Sequence, residues 1–443
     1  MRMRRLLAVP AVAILFLAAC GDDDDDSGGQ AEETGDGGGE ASGENTGEVN
    51  VLNAMEPEEA EAVQGIVDEL INSDADYEAT MEASGNFEED FQIRSEGGDL
   101  DIALLPQPGA VADAVGQGAV SLEDLGFDIA ELEDTFGEYL ISLGEVDGEH
   151  YGLPTNVNLK SMIWYPVDDF DAAGYEVPTT FDDLIALSDQ IRDEQGVAPW
   201  CVGFESEGAT GWPATDWMED IMLRTAGPDV YDQWVSHDIP FNDESVQNAA
   251  EIFGEVMFGD GYVLGGADQT PAIAFGDAPG PMFQDPPGCW LHRQASFINA
   301  FFPEDAAAGE DYDWFPFPPI DQEGTLIAGE FAVAFRNAPE IADFLERFGS
   351  EEVQCAQGGE TASSRLSPNI GVGPDCYANE ILAASSEVTT AAIADGSARF
   401  DASDQMPTEV GAGSFWTGMM DYMSRGPDSA SAVLDDIEAS WPQ

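Results

Sequence analysis

Short apolar runs alternate with segments of helical periodicity from Val49 to the end of the chain. Residues 49–54 and 101–105 have the length and apolar character of buried strands, and Pro106 and Pro108 end the second run. Elsewhere, apolar residues recur at helical spacing in four groups: Val63, Ile66, Val67 and Leu70; Phe181, Leu184, Ile185 and Ile191; Ile341, Phe344, Leu345 and Phe348; and Val433, Leu434, Ile437 and Trp441. Strands alternating with helices predict α/β layers, with a ligand cleft outside the strand ends.

Local sequence also marks where two of these helices begin. Pro57 followed by the acidic pair Glu58 and Glu59 is typical of a first helical turn. Thr180 and Asp183 have the spacing of a capping box, in which the first side chain accepts a hydrogen bond from the backbone of the second. Helices are therefore predicted to begin at about Pro57 and just after Thr180.

The first 48 residues predict export and anchoring. Three arginines precede an apolar stretch over residues 6–19, which is shorter than the roughly 20 residues of a membrane-spanning helix and fits a secretory signal. The stretch ends in Leu-Ala-Ala-Cys, which resembles a bacterial lipobox and implies cleavage after residue 19 and acylation of Cys20. An ordinary signal peptide with a chance cysteine is the alternative. Residues 20–48, rich in Asp, Glu, Gly and Ser, predict a disordered acidic linker.

Charge restricts the partners of residues 49–443. The chain has 89 acidic residues against 13 basic ones, for a formal net charge of −76, and Lys160 is its only lysine. Nucleic acid and anionic membrane surfaces would be repelled by this charge. We therefore expect a soluble domain that the lipid anchor holds at the outer face of the cell membrane.

Four cysteines besides Cys20 predict two disulfides, because their number is even and the predicted compartment is oxidising. Three pairings are open, and the closeness of Cys355 to Cys376 favours that pair, which leaves Cys201 with Cys289. A zinc site is the alternative, but the chain has no Cys-x-x-Cys spacing and its three histidines lie elsewhere.

Several stretches resemble the extracellular solute-binding proteins of bacterial sugar importers, the group that includes maltose-binding protein. One is typical of a strand and loop lining the cleft and contains Gln107; others resemble the first hinge crossing and a tryptophan-bearing segment near the C-terminus. Further segments are similar to the α-glucoside-binding branch of the family. The stretches are residues 101–109, 151–154, 159–165, 178–184, 406–407 and 414–416, and for the α-glucoside branch 211–217, 286–294 and 400–406.

The resemblance implies an α/β fold of the periplasmic-binding-protein type, with two lobes, a hinge and a ligand cleft between the lobes. One lobe would hold about residues 49–155 and 317–368, and the other about 156–316 and 369–443. It further implies a monomer that binds a carbohydrate, delivers it to the membrane permease subunits of an ABC importer, and needs no cofactor and no metal. The family consists of receptors, so no enzymatic activity is expected.

Sugar recognition selects the candidate site residues. A sugar presents apolar C–H faces and a ring of hydroxyls, so its site needs flat aromatic side chains and a few converging polar or charged groups. The predicted ligand-binding residues are Gln107, Asn156, Trp212, Asp216, Trp217, Trp290, Arg293, Asp404 and Trp416. For the tryptophans the alternative is core packing, and for Asn156 it is satisfaction of loop backbone.

Three other functions stay open at this point. The ligand could be a glycosylated compatible solute. A secreted glycoside hydrolase would need two carboxylates at a catalytic separation, and a surface adhesion protein would expose its aromatic residues in a flat patch. The chain has no Gly-x-Ser-x-Gly, His-Glu-x-x-His or phosphate-loop motif.

Overall fold

The computed structural model describes residues 41, 43 and 45–442. The predicted signal sequence, Cys20 and most of the predicted linker lie outside these residues. Within the described part of the chain, no helix combines the length and the apolar character needed to cross a bilayer.

Eleven strands are found in the described residues: β1 (Glu48–Asn53), β2 (Glu78–Ala83), β3 (Ile102–Leu105), β4 (Glu145–Val146), β5 (Glu149–His150), β6 (Gly152–Leu159), β7 (Met162–Pro166), β8 (His292–Arg293), β9 (Tyr312–Pro316), β10 (Thr325–Ala334) and β11 (Ala398–Phe400). The two predicted strands are β1 and β3.

Sixteen α-helices occur in the same residues: α1 (Pro57–Val67), α2 (Phe87–Gly97), α3 (Val111–Gly116), α4 (Ile129–Phe136), α5 (Glu138–Ser142), α6 (Val167–Ala173), α7 (Phe181–Gln195), α8 (Trp212–Ala226), α9 (Pro228–Val235), α10 (Glu244–Met257), α11 (Pro339–Phe348), α12 (Glu351–Gly358), α13 (Glu380–Asp395), α14 (Ala402–Gln405), α15 (Trp416–Arg425) and α16 (Ala430–Glu438). The four predicted helices are α1, α7, α11 and α16. The Thr180 side chain caps α7 by accepting a hydrogen bond from the Asp183 N–H at 3.2 Å.

The larger sheet is organised around β10. Strand β6 pairs antiparallel with one edge of β10. The other edge is shared, because the first residues of β10 pair with β11 and its last residues pair with β3. Strands β1 and β2 continue the sheet beyond β3 in parallel. A separate three-stranded antiparallel sheet has the order β8-β7-β9, and β4 and β5 form a hairpin.

The chain passes between the two sheets at two neighbouring places. It leaves β6 and enters β7 through Lys160 and Ser161, and it returns from β9 to β10 through residues 317–324. Ser161 joins the two crossings, since its carbonyl accepts from the Phe317 N–H at 3.0 Å and its hydroxyl accepts from the Leu326 N–H at 2.8 Å. The predicted lobe boundary between residues 155 and 156 falls inside β6, and β11 belongs to the larger sheet.

Each sheet is covered by helices that bury a core of their own. Against the larger sheet, Val63 of α1 and Phe344 of α11 are fully buried beside strand residues such as Val51. In the second core, every residue of α8 from Pro213 to Arg224 is buried, as expected for a helix enclosed on all sides. Each fully buried large apolar side chain contributes about 1.5–3 kcal/mol.

Both predicted disulfides are confirmed. Cys201 bonds to Cys289 across 88 residues, and Cys355 bonds to Cys376 across 21. The four cysteines of the described residues are therefore all in covalent pairs and are not free to bind zinc.

Candidate functional site

A cavity of about 220 Å³ lies between the two cores. Its wall combines acidic side chains, aromatic side chains, and a group of neutral polar side chains with one lysine, contributed from both sides. These are Glu56, Glu59, Glu88, Glu330, Asp401 and Asp404; Trp212, Phe275, Phe297, Phe301 and Trp416; and Gln107, Asn156, Asn158, Lys160, Ser206 and Ser363.

Element ends place these side chains. Gln107 follows the carboxyl end of β3, the edge at which parallel sheets bind ligands. Trp212 is the first residue of α8, and Trp416 is the first residue of α15, directly after a π-helical turn. Gly211 lets these two helix starts approach, because its φ is +118° and a Cβ there would lie 2.4 Å from the Trp416 carbonyl oxygen.

The two tryptophans differ in exposure. Trp212 is partly exposed, and the Lys160 ammonium lies 4.7 Å from the centre of its ring. The Phe275 ring packs against it in an edge-on contact at 5.2 Å. Trp416 is only 3% exposed, and its indole N–H donates to the Ser403 hydroxyl at 3.4 Å. A ligand would thus meet the free part of Trp212 and a narrow strip of Trp416.

Lys160 is the centre of a buried ion network behind this aromatic wall. Its Nζ lies 2.9 Å from Asp216 Oδ1 and 3.2 Å from Asp401 Oδ2. Arg293 donates to Asp216 and Asp220, both at 3.1 Å. Burial by itself lowers the pKa of Lys160, but Asp216 and Asp401 outweigh burial and raise it. The lysine therefore stays charged and binds two elements, α8 and the segment after β11, to the crossing between the sheets.

Three carboxyl groups of this network, those of Asp216, Glu219 and Asp401, lie within 4.8 Å of one another. Burial favours protonation of Asp401, but Lys160 reverses that effect and lowers its pKa to about 2. Burial and the Asp401 charge raise the pKa of Glu219 well above its usual value. Glu219 also accepts hydrogen bonds from the Ala402 and Ser403 N–H groups at 3.0 and 3.2 Å. The cluster is thus compensated by the Lys160 ammonium and the Arg293 guanidinium groups, and burial beside Asp401 favours the protonated form of Glu219.

A second buried ion pair lies on the opposite part of the wall. Arg365, 2% exposed, donates to Glu59 at 2.9 Å and also to Glu330. Burial raises the pKa of Glu59 to about 7, against the lowering effect of Arg365. Glu330 lies at a bulge in the pairing of β10 with β6, opposite Asn156. This bulge brings a carboxylate and a carboxamide to the same place on the cavity wall.

Two acceptors in the wall have no hydrogen-bond partner among residues 45–442. The side-chain oxygens of Asn156 and Asn158 are buried and receive no hydrogen bond. Asn156 as a whole is 6% exposed. A buried acceptor without a donor costs about 1–3 kcal/mol, so these groups indicate a ligand that supplies donors.

The structure divides the nine predicted ligand-binding residues into three groups. Gln107, Asn156, Trp212, Asp404 and Trp416 line the cavity. Asp216 and Arg293 lie behind its wall in the Lys160 network.

Trp217 and Trp290 are core residues outside the cavity lining, which corrects their prediction as ligand contacts. Trp217 packs edge-on against Trp200 at 5.0 Å, and Trp290 packs edge-on against Tyr175 at 5.4 Å. Both are less than 5% exposed. Neighbouring polar residues in the sequence suggested a site, but the polar neighbours of these tryptophans point into the ion network instead.

Sequence reasoning missed most of the acidic wall. Glu59 looked like an ordinary acidic residue of a first helical turn, and Glu330 lies within a strand whose other residues are mostly apolar. Lys160 carried a usable signal, since a single lysine in so acidic a chain, placed at a predicted hinge crossing, has to serve a specific ion pair.

Comparison with known proteins agrees with this architecture. The osmoprotective compounds-binding protein GgtB of Synechocystis sp. is 38% identical over 402 residues, which cover 89% of this chain and 93% of that protein. The alpha-glucosides-binding periplasmic protein AglE of Rhizobium meliloti is 39% identical over 381 residues, covering 82% and 80%. Both relatives are binding proteins by name.

A solved structure and a family pattern extend the comparison. The bacterial solute receptor AcbH, described as having an exclusive preference for β-D-galactopyranose, superimposes with a TM-score of 0.74 at 17% identity over 89% of this chain and 98% of that one. This similarity confirms the two-lobe α/β fold. The family pattern of bacterial extracellular solute-binding proteins matches residues 56–354. The chain therefore belongs to the bacterial extracellular solute-binding proteins.

Proposed function

We propose that this protein captures a small carbohydrate outside the cell, by closure of its two lobes, and delivers it to the permease of an ABC importer. The observation that carries the proposal is the cavity wall, where the partly exposed ring of Trp212 and a strip of Trp416 lie beside the unpaired acceptor of Asn156. This combination matches the C–H faces and hydroxyl donors of a sugar. AglE, a relative, is named for α-glucosides, so an α-glucoside is the first candidate.

The size of the cavity favours a short ligand. Its volume of about 220 Å³ is below the roughly 300–1,000 Å³ of pockets that hold drug-sized molecules. A monosaccharide glycoside or a disaccharide fits this volume better than a longer oligosaccharide.

A glycosylated compatible solute is the second candidate. It is favoured by GgtB, which is named for osmoprotective compounds and covers more of this chain than AglE does. Such a solute also joins a sugar ring to a small polyol, so the same wall would bind it.

A binding screen tests the proposal and separates these candidates. Purified protein would be heated with monosaccharide glycosides, disaccharides and glucosylated glycerol or glycerate, and each hit would be titrated by calorimetry. A ligand at a hundred times its Kd stabilises the folded state by about 2.7 kcal/mol, which raises the melting temperature measurably. If no glycoside raises it, the sugar-receptor proposal is wrong.

Absence of catalysis is part of the proposal and is tested directly. A glycosidase needs one carboxylic acid and one carboxylate free to act on the glycosidic bond. Three of the six wall carboxyls are held in ion pairs, Asp401 by Lys160 and Glu59 and Glu330 by Arg365, whereas Glu56, Glu88 and Asp404 form none among the described residues. Incubation with α-glucosides should leave them intact on chromatography; accumulation of free sugar at a rate abolished by substituting Asp404 would show an enzyme.

Membrane attachment is proposed through Cys20. The Cys20→Ala variant should leave the membrane fraction and appear in the medium, or stay unprocessed. A variant that remains membrane-bound with its leader removed would contradict acylation at this residue.

A further inference from the structure

The charges on the cavity wall do not balance. Six carboxyl side chains line the cavity, whereas the cations that pair with them are one lysine in the lining, Lys160, and one arginine outside it, Arg365. Lys160 is engaged by Asp401 and Asp216, and Arg365 is engaged by Glu59 and Glu330. Among residues 45–442, the remaining wall carboxyls, those of Glu56, Glu88 and Asp404, form no ion pair.

Asp404 is the most enclosed of these three. It is 8% exposed, and its side chain receives no hydrogen bond from the described residues. Burial, together with the charge of Asp401, raises its pKa well above the usual value. Glu88 shows the same effect, since burial raises its pKa although Gln107 hydrogen-bonds to it. Lys160 opposes this rise for Asp404 but is outweighed, and neither carboxyl forms an ion pair among the described residues.

Asn156 provides an independent indication. Its side-chain oxygen lines the same cavity, is more than nine-tenths buried and has no donor. It does not depend on any charge, yet it requires the same thing of a ligand as Asp404 does, namely a hydrogen-bond donor. The wall is thus short of donors as well as of positive charge.

We propose that the cavity selects its ligand by charge: it binds a glycoside bearing a protonated amino group more tightly than the neutral glycoside, and it excludes glycosides bearing a carboxylate or phosphate. This inference rests on the proposed sugar-receptor function and specifies its ligand class. An ammonium group pairs with Asp404 or Glu88 and donates the hydrogen bond that the Asp404 side chain lacks. A carboxylate in that place faces like charges in a desolvated site and offers no donor.

Three methyl α-D-glucopyranosides that differ only at C6 test the proposal. They carry CH₂OH, CH₂NH₃⁺ and COO⁻, and each would be titrated calorimetrically into the wild-type protein at pH 7 in 1 M NaCl. At this salt concentration the Debye length is about 3 Å. Charges outside the cavity, which contribute most of the formal net charge of −76, therefore have little effect on the bound ligand. We expect the amino analogue to bind about tenfold tighter than the neutral glycoside and the uronate at least about tenfold weaker.

Every outcome of this series decides the question. Equal affinities, tighter binding of the uronate, or no binding by the amino analogue would each overturn the charge selection. If the charge selection fails but an uncharged glycoside binds in the wider screen, the proposed receptor function still stands. Failure of the whole screen would instead remove the receptor function itself.

Variants then locate the selection. Asp404→Asn removes one wall charge but keeps the shape of the side chain, so the preference for the amino analogue should fall several-fold and the uronate should bind better. Asp436→Asn, on an exposed side chain of α16, is the matched control and should leave all three affinities unchanged. Thermal unfolding checks that Asp404→Asn is folded, and Glu88→Gln replaces it if it is not. If both Asp404→Asn and Glu88→Gln are folded and neither changes the preference among the three glycosides, these two residues do not carry the charge selection.

Discussion

Replacing Lys160 by methionine removes the cation of the central network with little change in side-chain volume. Arg293 still holds Asp216, so Asp401 becomes the carboxylate without a positive partner. Asp401 is 1% exposed, and breaking a buried ion pair on one side costs about 3–5 kcal/mol. We expect Lys160→Met to lower the free energy of unfolding by this amount at pH 7.

The acid dependence gives the sign of the effect. In the wild type Lys160 lowers the pKa of Asp401 to about 2, so this stabilisation is present above the unfolded value near 4 and is lost only as the pH falls towards 2. In Lys160→Met the uncompensated carboxyl takes up a proton at higher pH. The difference in stability between wild type and variant should therefore shrink between pH 7 and pH 4.

Denaturant unfolding of four proteins measures the coupling: wild type, Lys160→Met, Asp401→Asn and the double variant. The double variant should be more stable than the sum of the single effects predicts, by about 1–3 kcal/mol. Arg192→Met, which breaks a surface ion pair with Asp189, should change stability little and serves as the control. Strictly additive effects, or a Lys160→Met variant as stable as the control, would refute the network.

Three further outcomes follow from buried groups. Trp416→Ala should weaken sugar binding about tenfold to a hundredfold and cost about 3–5 kcal/mol of stability, whereas Trp217→Ala should cost as much stability with unchanged affinity in calorimetric titration. Burial lowers the pKa of His292 to about 4, so the free energy of unfolding should fall by about 3 kcal/mol between pH 6.5 and pH 4. Acid unfolding curves should show this loss in the wild type and in the control variant His237→Gln. The loss should be absent in His292→Gln. A disulfide that closes a longer loop removes more entropy from the unfolded chain. In denaturant unfolding, replacing Cys201 and Cys289, 88 residues apart, by serine should therefore cost about 4–5 kcal/mol, and replacing Cys355 and Cys376, 21 residues apart, should cost about 3 kcal/mol. Equal costs would contradict this argument.

Local sequence patterns predicted those features, such as helices and their caps, that neighbouring residues determine. The apolar spacing around Phe344 and the Thr180 cap each specify a helix through neighbours in sequence, and both helices are found. The disulfide pairing was predicted because Cys355 and Cys376 are only 21 residues apart and a loop of that length closes easily. Of the four cysteines, Cys201 and Cys289 then remained as the second pair.

The site depends on contacts that no local pattern contains. Trp290 and Trp416 both stand beside polar residues, and only the packing of α8, α15 and the smaller sheet decides that the first is core and the second is cavity wall. Lys160 meets Asp216 from 56 positions away in the sequence and Asp401 from much further. Spacing cannot report such pairs. The single lysine does carry information, because without it Asp401 has no ion pair among the described residues.

Because the chain has a single lysine, chemical labelling of lysine side chains places a probe at Lys160, in the crossing between the two sheets. Reductive methylation with isotope-labelled formaldehyde modifies lysine side chains, and Lys160 is the only one in the sequence. Lys160 is 5% exposed and its amine is bound to two carboxylates, so reaction requires the amine to leave them as the two sheets move apart at the crossing. The growth of the Lys160 methyl resonance, read apart from that of the N-terminal amine, then reports opening of the cleft and whether a bound ligand has stopped it.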